Sequence, residues 1–174
     1  GRAALLRQGI APGETVADLF DARAALALLA RAEAGQASAD DLALADWTLP
    51  ARIGAALLRC GLDCPPETAL SALSGGQATR AALAAALFTD PAVLLLDEPT
   101  ATLDRDGRRQ VQDLLGTWPG AAIVVSHDRA LLERMDAIVE LTTLGATRYG
   151  GPYSDYRAQK ARDLAAAAGD LAGA

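Results

Sequence analysis

The sequence predicts an α/β fold, in which a helical subdomain is followed by part of a core built on a parallel sheet. Two short apolar runs, residues 93–96 and 123–125, have the length of strands rather than helices, and both are predicted to be buried. Stretches rich in alanine and leucine lie between and around these runs, and this alternation of helix and strand is typical of a parallel sheet. Polar residues directly follow both runs, at the edge where open α/β sheets bind their ligands.

Length and composition indicate an aliphatic core. The chain has 174 residues, 51% apolar and 4% aromatic, so the core should consist mainly of Leu, Ala, Val and Ile. No uncharged apolar run approaches the ~18 residues of a membrane-spanning helix, and the start lacks a signal-peptide pattern. We therefore predict a cytoplasmic chain without direct membrane insertion. The net charge of −6 gives no electrostatic support for RNA binding by these residues.

Residues 14–60 are predicted to be mainly helical. Thr15 begins a cap-like sequence ahead of an apolar stripe with helical spacing. Gly35 interrupts that stripe. Pro50 suits the first turn of a later helix, and Gly61 suits its end.

Cys60 and Cys64 are the only cysteines of the chain. Their spacing could place both on one helix face as a pair of metal ligands, but two prolines follow and no other ligand is near. We interpret them as reduced thiols of a cytosolic chain.

A glycine turn precedes the predicted helix that leads to the first strand. Residues 73–77 read Leu-Ser-Gly-Gly-Gln, and Ser74 suits the N-cap of the helix. Gly75 and Gly76 let backbone approach a ligand, and the first amides of a helix form a site for phosphate. Taken alone, the same residues would also suit a capped turn before an ordinary core helix.

An acidic pair ends the first strand. The apolar run 93–96 is typical of a strand buried on both faces, and Asp97 and Glu98 follow it. An aspartate in this place can hold Mg²⁺ through water, and a glutamate can orient or deprotonate an attacking water. Pro99 then stops the strand because it has no amide to donate. The alternative is a charged strand-to-loop junction on the surface.

The glycine turn and the acidic strand end together resemble two motifs of the ABC ATPase family, a branch of the P-loop NTPases. Residues 73–77 resemble its signature loop, and residues 93–98 resemble its Walker B strand with the catalytic glutamate. The resemblance implies ATP and Mg²⁺ as cofactors. It also implies Glu98 as a catalytic residue, Asp97 as a metal ligand through water, and a nucleotide-binding group made of Ser74, Gly75, Gly76 and Gln77.

Three further segments resemble motifs of the same family. Residues 100–104 resemble the D-loop, and this implies that Asp104 binds nucleotide; it also suits the N-cap of the next helix. His127 is the only histidine and directly follows the second strand; it resembles the catalytic switch histidine that contacts the γ-phosphate. Residues 5–8 resemble the Q-loop, in which Gln8 reaches both the nucleotide site and the metal.

The end of the chain resembles the ABC-F subfamily. Residues 150–156 read Gly-Gly-Pro-Tyr-Ser-Asp-Tyr, like the end of the first ATPase domain in these proteins. They carry two ATPase domains on one chain and no membrane spans, and many act on the ribosome. The predicted helix 153–168 would begin the interdomain linker that reaches toward transfer RNA, although it also suits a solvated C-terminal helix. One departure lies in the D-loop, where Ala101-Thr102 replaces the usual Asn-His.

The predicted organisation has three parts. Residues 1–73 hold the Q-loop and the helical subdomain, residues 74–150 the signature helix and the C-terminal part of the ATPase core, and residues 151–174 the start of the linker helix. Residues 137–141 and 146–149 are predicted to be the last strands of the parallel sheet.

The P-loop pattern G-x-x-x-x-G-K-[ST] does not occur in the sequence. We therefore expect a piece of a longer protein that is inactive by itself. In related ATPases the P-loop strand lies between strands 121–125 and 137–141, so these two strands should not pair with each other.

The sequence thus predicts an ATP-hydrolysing domain of an ABC-F protein that acts in translation or antibiotic resistance. The expected partners are a second ABC ATPase domain in the same protein, the ribosome and transfer RNA. Two alternatives stay open: the ATPase subunit of an ABC membrane transporter, and a non-catalytic module that only presents the signature face. A charged linker and a second signature loop beyond residue 174 would favour the first interpretation. ATP hydrolysis by the complete protein would exclude the last.

Overall fold

The computed structural model describes residues 1–7, 9 and 11–172, with side chains as far as residue 168. The chain divides into two compact units, Gly1–Val125 and Ser126–Ala174. The predicted divisions at residues 73 and 150 stay predictions.

The first unit holds the elements β1 Ala3–Leu5, α1 Val16–Leu19, α2 Arg23–Glu33, α3 Ala39–Leu44, α4 Leu49–Arg59, a 3₁₀ turn Leu70–Ala72, α5 Gly75–Phe88, β2 Val93–Asp97, α6 Arg105–Gly116 and β3 Ala121–Val125. The second unit holds α7 Arg129–Leu132, β4 Ala137–Thr142, β5 Gly145–Gly150 and α8 Tyr153–Ala172.

The predicted helical segment forms helices α1 to α4. A capping interaction starts α1, because the Thr15 amide donates to Asp18 Oδ2 at 2.6 Å. The apolar stripe does not run as one helix: Asp21 has a φ of 52°, in the left-handed region, and separates α1 from α2. Pro50 lies in the first turn of α4, and Gly61 follows its end with a φ of 69°, as predicted.

The strands β1, β2 and β3 form the predicted parallel sheet, with β2 in the centre. Leu5 is in register with Leu95, and Leu95 with Ile123. The sequence did not predict β1, a strand of only three residues whose last residue, Leu5, is the first residue of the Q-loop segment.

The two faces of this sheet differ. On the inner face, Leu94 and Leu96 are buried. On the outer face, Leu5, Ile123 and Val125 are 66%, 61% and 59% exposed. The predictions that the strand 93–96 is buried on both faces and that the strand 123–125 is buried are therefore wrong for the outer face, where Val93 and Leu95 are only half-buried. Alternate residues of a strand point to opposite faces, and only one face is packed here.

The core of the first unit lies between this inner face and helices α4 and α5. It is made mainly of leucine and alanine, as the composition predicts. Its most deeply buried side chains are Val16, Ile53, Leu57, Leu70, Ala81, Leu83, Ala84, Leu94 and Leu96.

The second unit is built around a hairpin of β4 and β5, with helix α8 packed on it. Strands β4 and β5 pair antiparallel in a sheet of their own, so the prediction that they continue the parallel sheet is wrong. The connection between them is too short for the crossover that parallel neighbours need. Helix α8 covers one face: Tyr156 packs edge to face on Tyr149 at 5.0 Å, and its hydroxyl donates to Glu140 Oε1 at 3.0 Å.

None of the helices in the described part of the chain has the length and apolar character needed to cross a bilayer.

Cys60 and Cys64 are free thiols, and burial raises the pKa of Cys60 to about 11. Across residues 1–7, 9 and 11–172, no group of three or more His, Cys, Asp or Glu side chains is placed to hold a metal ion.

Candidate functional site

The turn that begins α5, residues 74–77, is closed by a reciprocal pair of hydrogen bonds. The Gln77 amide donates to Ser74 Oγ at 3.2 Å, and the Ser74 amide donates to Gln77 Oε1 at 2.9 Å. This capping box confirms Ser74 as the N-cap. Ser74, Gly75 and Gln77 are exposed, so the positive end of α5 faces solvent, where a phosphate could approach. We call residues 74–77 the signature turn.

Gly75 and Gly76 also pack against residues 100–104, which we call the D-loop. A Cβ at Gly76 would lie 3.2 Å from the carbonyl oxygen of Thr102, and a Cβ at Gly75 would lie 3.6 Å from Thr102 Cβ. The missing side chain at Gly76 therefore lets two segments of the unit approach each other closely. Sequence reasoning assigned these glycines only to a ligand, because this contact is tertiary and leaves no local pattern.

Asp104 caps helix α6, as predicted. The Gly107 amide donates to Asp104 Oδ1 at 2.8 Å. The same oxygen accepts from the guanidinium of Arg80 at 3.4 Å, and Arg80 also donates to the Gly61 carbonyl at 3.0 Å. Sequence reasoning missed Arg80; its only signal was an arginine in the first turns of an otherwise alanine-rich helix.

The signature turn, Arg80 and residues 102–104 line a cleft of about 450 Å³. We call it the outer cleft. Its polar lining and the exposed helix start suit a phosphate-bearing ligand or a polar segment of another molecule.

The acidic pair lies at the carboxyl end of β2, as predicted. Asp97 is the last residue of the strand, and the Glu98 amide donates to the Val125 carbonyl at 2.8 Å, which continues the pairing with β3. Glu98 has a φ of 45°, a left-handed conformation that costs about 1–3 kcal/mol for a residue with a side chain. Strain of this kind clusters at functional positions, because the surrounding structure must hold it in place. Here the buried Pro99 and Thr100 follow immediately.

A second cleft of about 600 Å³ runs along the carboxyl edge of the sheet. We call it the inner cleft. It brings Asp97 and Glu98 together with Gly75 of the signature turn and with Thr102 of the D-loop. Asp97 is exposed, whereas Glu98 is half-buried and its Oε2 atom is buried, so the Asp97 carboxylate is the more accessible of the two. The apolar part of the lining includes Leu6, Leu19, Leu70, Ala78 and Ala82.

Of the predicted site residues, Gly75, Asp97 and Glu98 line the inner cleft, and Ser74, Gly76, Gln77 and Asp104 line the outer cleft. Gln8 lies outside the described residues, although its neighbours Arg7 and Gly9 line the inner cleft. Arg7 forms an ion pair with Glu14, and the pKa of Glu14 is lowered by the hydrogen bond from the Ala11 amide and by Arg7.

His127 belongs to the second unit, where it lies exposed on the loop before α7. Asp128, the next residue, caps that helix: its Oδ1 accepts from the Ala130 amide at 3.0 Å and from the Leu131 amide at 3.3 Å.

Comparison with known proteins identifies the family. The profile of the ABC transporter family matches residues 8–101, more than half of the chain. The chain belongs to this family. The match spans the signature turn and the acidic pair, which carried the resemblance in the sequence, and members of the family bind and hydrolyse ATP, normally with Mg²⁺.

Curated relatives point to the ABC-F subfamily, as the sequence predicted. The ATP-binding protein Uup of Escherichia coli is 42% identical over 119 residues, covering 68% of this chain and 18% of that protein. The tylosin resistance ATP-binding protein TlrC of Streptomyces fradiae is 36% identical over 180 residues, covering 89% and 33%. The energy-dependent translational throttle protein EttA of Mycobacterium tuberculosis is 40% identical over 121 residues, covering 68% and 21%. The chain therefore spans between about a fifth and a third of these relatives' length.

Solved structures confirm the fold. A dimeric bacterial ABC transporter cassette matches with a TM-score of 0.59 at 23% identity, covering 79% of this chain and 57% of that chain. A dimeric cassette in a post-hydrolysis state bound to ADP and phosphate matches with a TM-score of 0.58 at 22% identity, with the same coverage. At such identities the likeness speaks for the fold alone.

Proposed function

We propose that this chain is the ATP-hydrolysing part of an ABC-F type protein that acts in translation in the cytoplasm. The observations that support it most are the acidic strand end at the carboxyl edge of the sheet, where Glu98 has a left-handed backbone conformation, and the solvent-exposed start of the capped helix α5. The relatives support the biological setting, since they include a translational throttle protein and a tylosin resistance protein.

In this proposal, ATP binds between two cassettes arranged head to tail. One cassette contributes Asp97, Glu98, Gln8 and His127 to a nucleotide. The other contributes its signature turn to the phosphates of the same nucleotide. The signature turn of one cassette would thus contact a nucleotide that is bound by the other cassette. This explains why the helix start at Ser74 is exposed to solvent instead of packed into its own unit.

The acidic pair suits this chemistry in its ligand type and its position. Carboxylate oxygens are ligands that Mg²⁺ prefers, and Asp97 is exposed at the strand end. Bound Mg²⁺ would neutralise charge on the phosphates during transfer. Glu98 would orient or deprotonate the attacking water, from a backbone position fixed by β3 and by the strained turn into Pro99.

We further propose that the chain alone binds ATP weakly and does not hydrolyse it. A P-loop cradles the β- and γ-phosphates with its backbone amides and its lysine. The 174 residues contain no such sequence, and their single lysine, Lys160, lies in α8. Calorimetric titration of the chain with ATP should show no tight binding; a micromolar dissociation constant would contradict this part of the proposal.

The biological role is tested with the full-length protein and purified ribosomes. Glu98→Gln should let ATP bind while slowing hydrolysis, so we expect this variant to co-sediment with ribosomes in ATP and not in ADP. Glu67→Gln, which removes the charge of an exposed glutamate outside both clefts, is the matched control and should behave as wild type. ATP hydrolysis without nucleotide-dependent ribosome binding would contradict the translation role and favour the transporter alternative.

A further inference from the structure

A pair of threonine hydroxyls joins the signature helix to the D-loop. Thr79 Oγ1 of α5 lies 2.8 Å from Thr102 Oγ1. Both hydroxyls also reach the carbonyl oxygen of Gly75, at 3.0 Å from Thr79 and 3.3 Å from Thr102. One hydroxyl can donate to this carbonyl and accept a hydrogen bond from the other hydroxyl. Both hydroxyl protons are then hydrogen-bonded.

Two further contacts connect the same two segments. The side chain of Arg80 is only 20% exposed, and its guanidinium meets Asp104 at the end of the D-loop. The backbone of Gly76 packs against the carbonyl of Thr102 so closely that a Cβ would be 3.2 Å from it. The D-loop is thus held against the signature helix by polar contacts of Thr102 and Asp104.

We propose that Thr79 and Thr102 are positioning residues that hold the signature turn and the D-loop as one body for contact with a partner cassette. This inference rests on the proposed function, because it concerns the surface that a second cassette would meet. Both segments line the outer cleft. A partner that covers the signature turn therefore also contacts the D-loop. The relative position of these two segments determines the shape of the surface that the partner contacts.

The exposure of this bridge indicates a role in the assembled state more than in the stability of the chain. Thr102 is exposed, and hydrogen bonds in contact with water contribute little net stability. When a second molecule excludes water, the same bonds strengthen.

Removal of one hydroxyl without loss of shape tests the proposal in the full-length protein. Thr102→Val and Thr79→Val should each lower kcat for ATP roughly three- to tenfold, as expected for one lost hydrogen bond. The KM for ATP should change less than twofold, because neither threonine is among the residues proposed to bind the nucleotide. The double variant should lose no more than the more affected single variant, since both substitutions break one bridge. Thr102→Ser keeps the hydroxyl and should restore kcat.

The matched control is Thr117→Val. Thr117 Oγ1 donates to the Asp113 carbonyl at 3.1 Å at the end of α6, so its loss removes a similar backbone contact without touching the D-loop. Its kcat should equal that of wild type. Wild-type kcat in Thr102→Val, or multiplicative losses in the double variant, would overturn the proposal while leaving ATP hydrolysis by the protein intact.

Hydrogen exchange of the nucleotide-free protein separates this inference from the proposed function. Thr102→Val should speed amide exchange in residues 101–104 roughly twofold or more, because one tie that closes the loop is gone. Faster exchange would support the threonine bridge even if the wild-type protein hydrolysed no ATP. Absence of ATP hydrolysis would contradict the proposed function only. Unchanged amide exchange in Thr102→Val would contradict the inference that the bridge holds the D-loop in place.

Discussion

The signature turn and the acidic pair face one cleft, but they are held in different ways. Side chains hold the signature turn: Ser74 and Gln77 close it, and Thr79 and Thr102 tie it to the D-loop. The backbone holds the acidic pair, through the central strand β2 and the amide of Glu98. We therefore expect that side-chain substitutions at the acidic pair change ATP hydrolysis without changing stability. Substitutions at the signature turn should change both.

The sharpest test of this separation is Glu98→Gln in the full-length protein. Gln keeps the shape of the side chain but cannot accept a proton, so steady-state ATP hydrolysis should fall by roughly 10²–10⁴. The unfolding free energy of the 174-residue chain should change by less than about 1 kcal/mol, because the backbone fixes this position. Unchanged turnover would remove Glu98 from the catalytic role, and a large loss of stability would refute the separation.

The packed face of β2 supplies the backbone support for the acidic pair. Leu96→Ala empties a site that is 2% exposed and should cost about 2–5 kcal/mol of unfolding free energy, measured by urea denaturation of the chain. Ile123→Ala is the control on the outer face of the neighbouring strand, where the side chain is 61% exposed, and should change stability by about 0.5 kcal/mol or less. Equal costs for the two substitutions would mean that the faces do not differ as described.

A smaller effect is expected at the signature turn, and there it should appear in stability and activity together. Ser74→Ala removes the N-cap oxygen of α5 and should destabilise the chain by about 0.5–2 kcal/mol. In the full-length protein the same substitution should also lower kcat, because the turn would lose its closed shape. Ser74→Thr keeps a capping hydroxyl and should lose less of both quantities. A loss of activity in Ser74→Ala without any loss of stability would break the coupling.

The helix caps and the position of the acidic pair could be predicted because they depend on residues that are close together in the sequence. Ser74 and Asp104 each stand directly before a helix, and capping depends only on a residue and the amides two or three positions later. The acidic pair follows an apolar run, which is enough to place it at a strand end.

The features that the sequence did not reveal depend on distant partners. Strand β1 has three residues and forms only by pairing with β2, which is far along the chain. Thr79 and Thr102 meet across 23 positions, and neither carries a local signal. The direction of β5 follows from its tight connection to β4, which an alternation of apolar runs does not encode.

The central claim is that the acidic pair and the signature turn of this chain belong to two different nucleotide sites, each completed by a second cassette. A structure of the full-length Glu98→Gln protein with ATP and Mg²⁺ tests it most directly. We predict Asp97 and residue 98 beside one nucleotide, and Ser74 to Gln77 against the phosphates of another. The same nucleotide touching both, or no nucleotide within hydrogen-bond reach of either, would contradict the account.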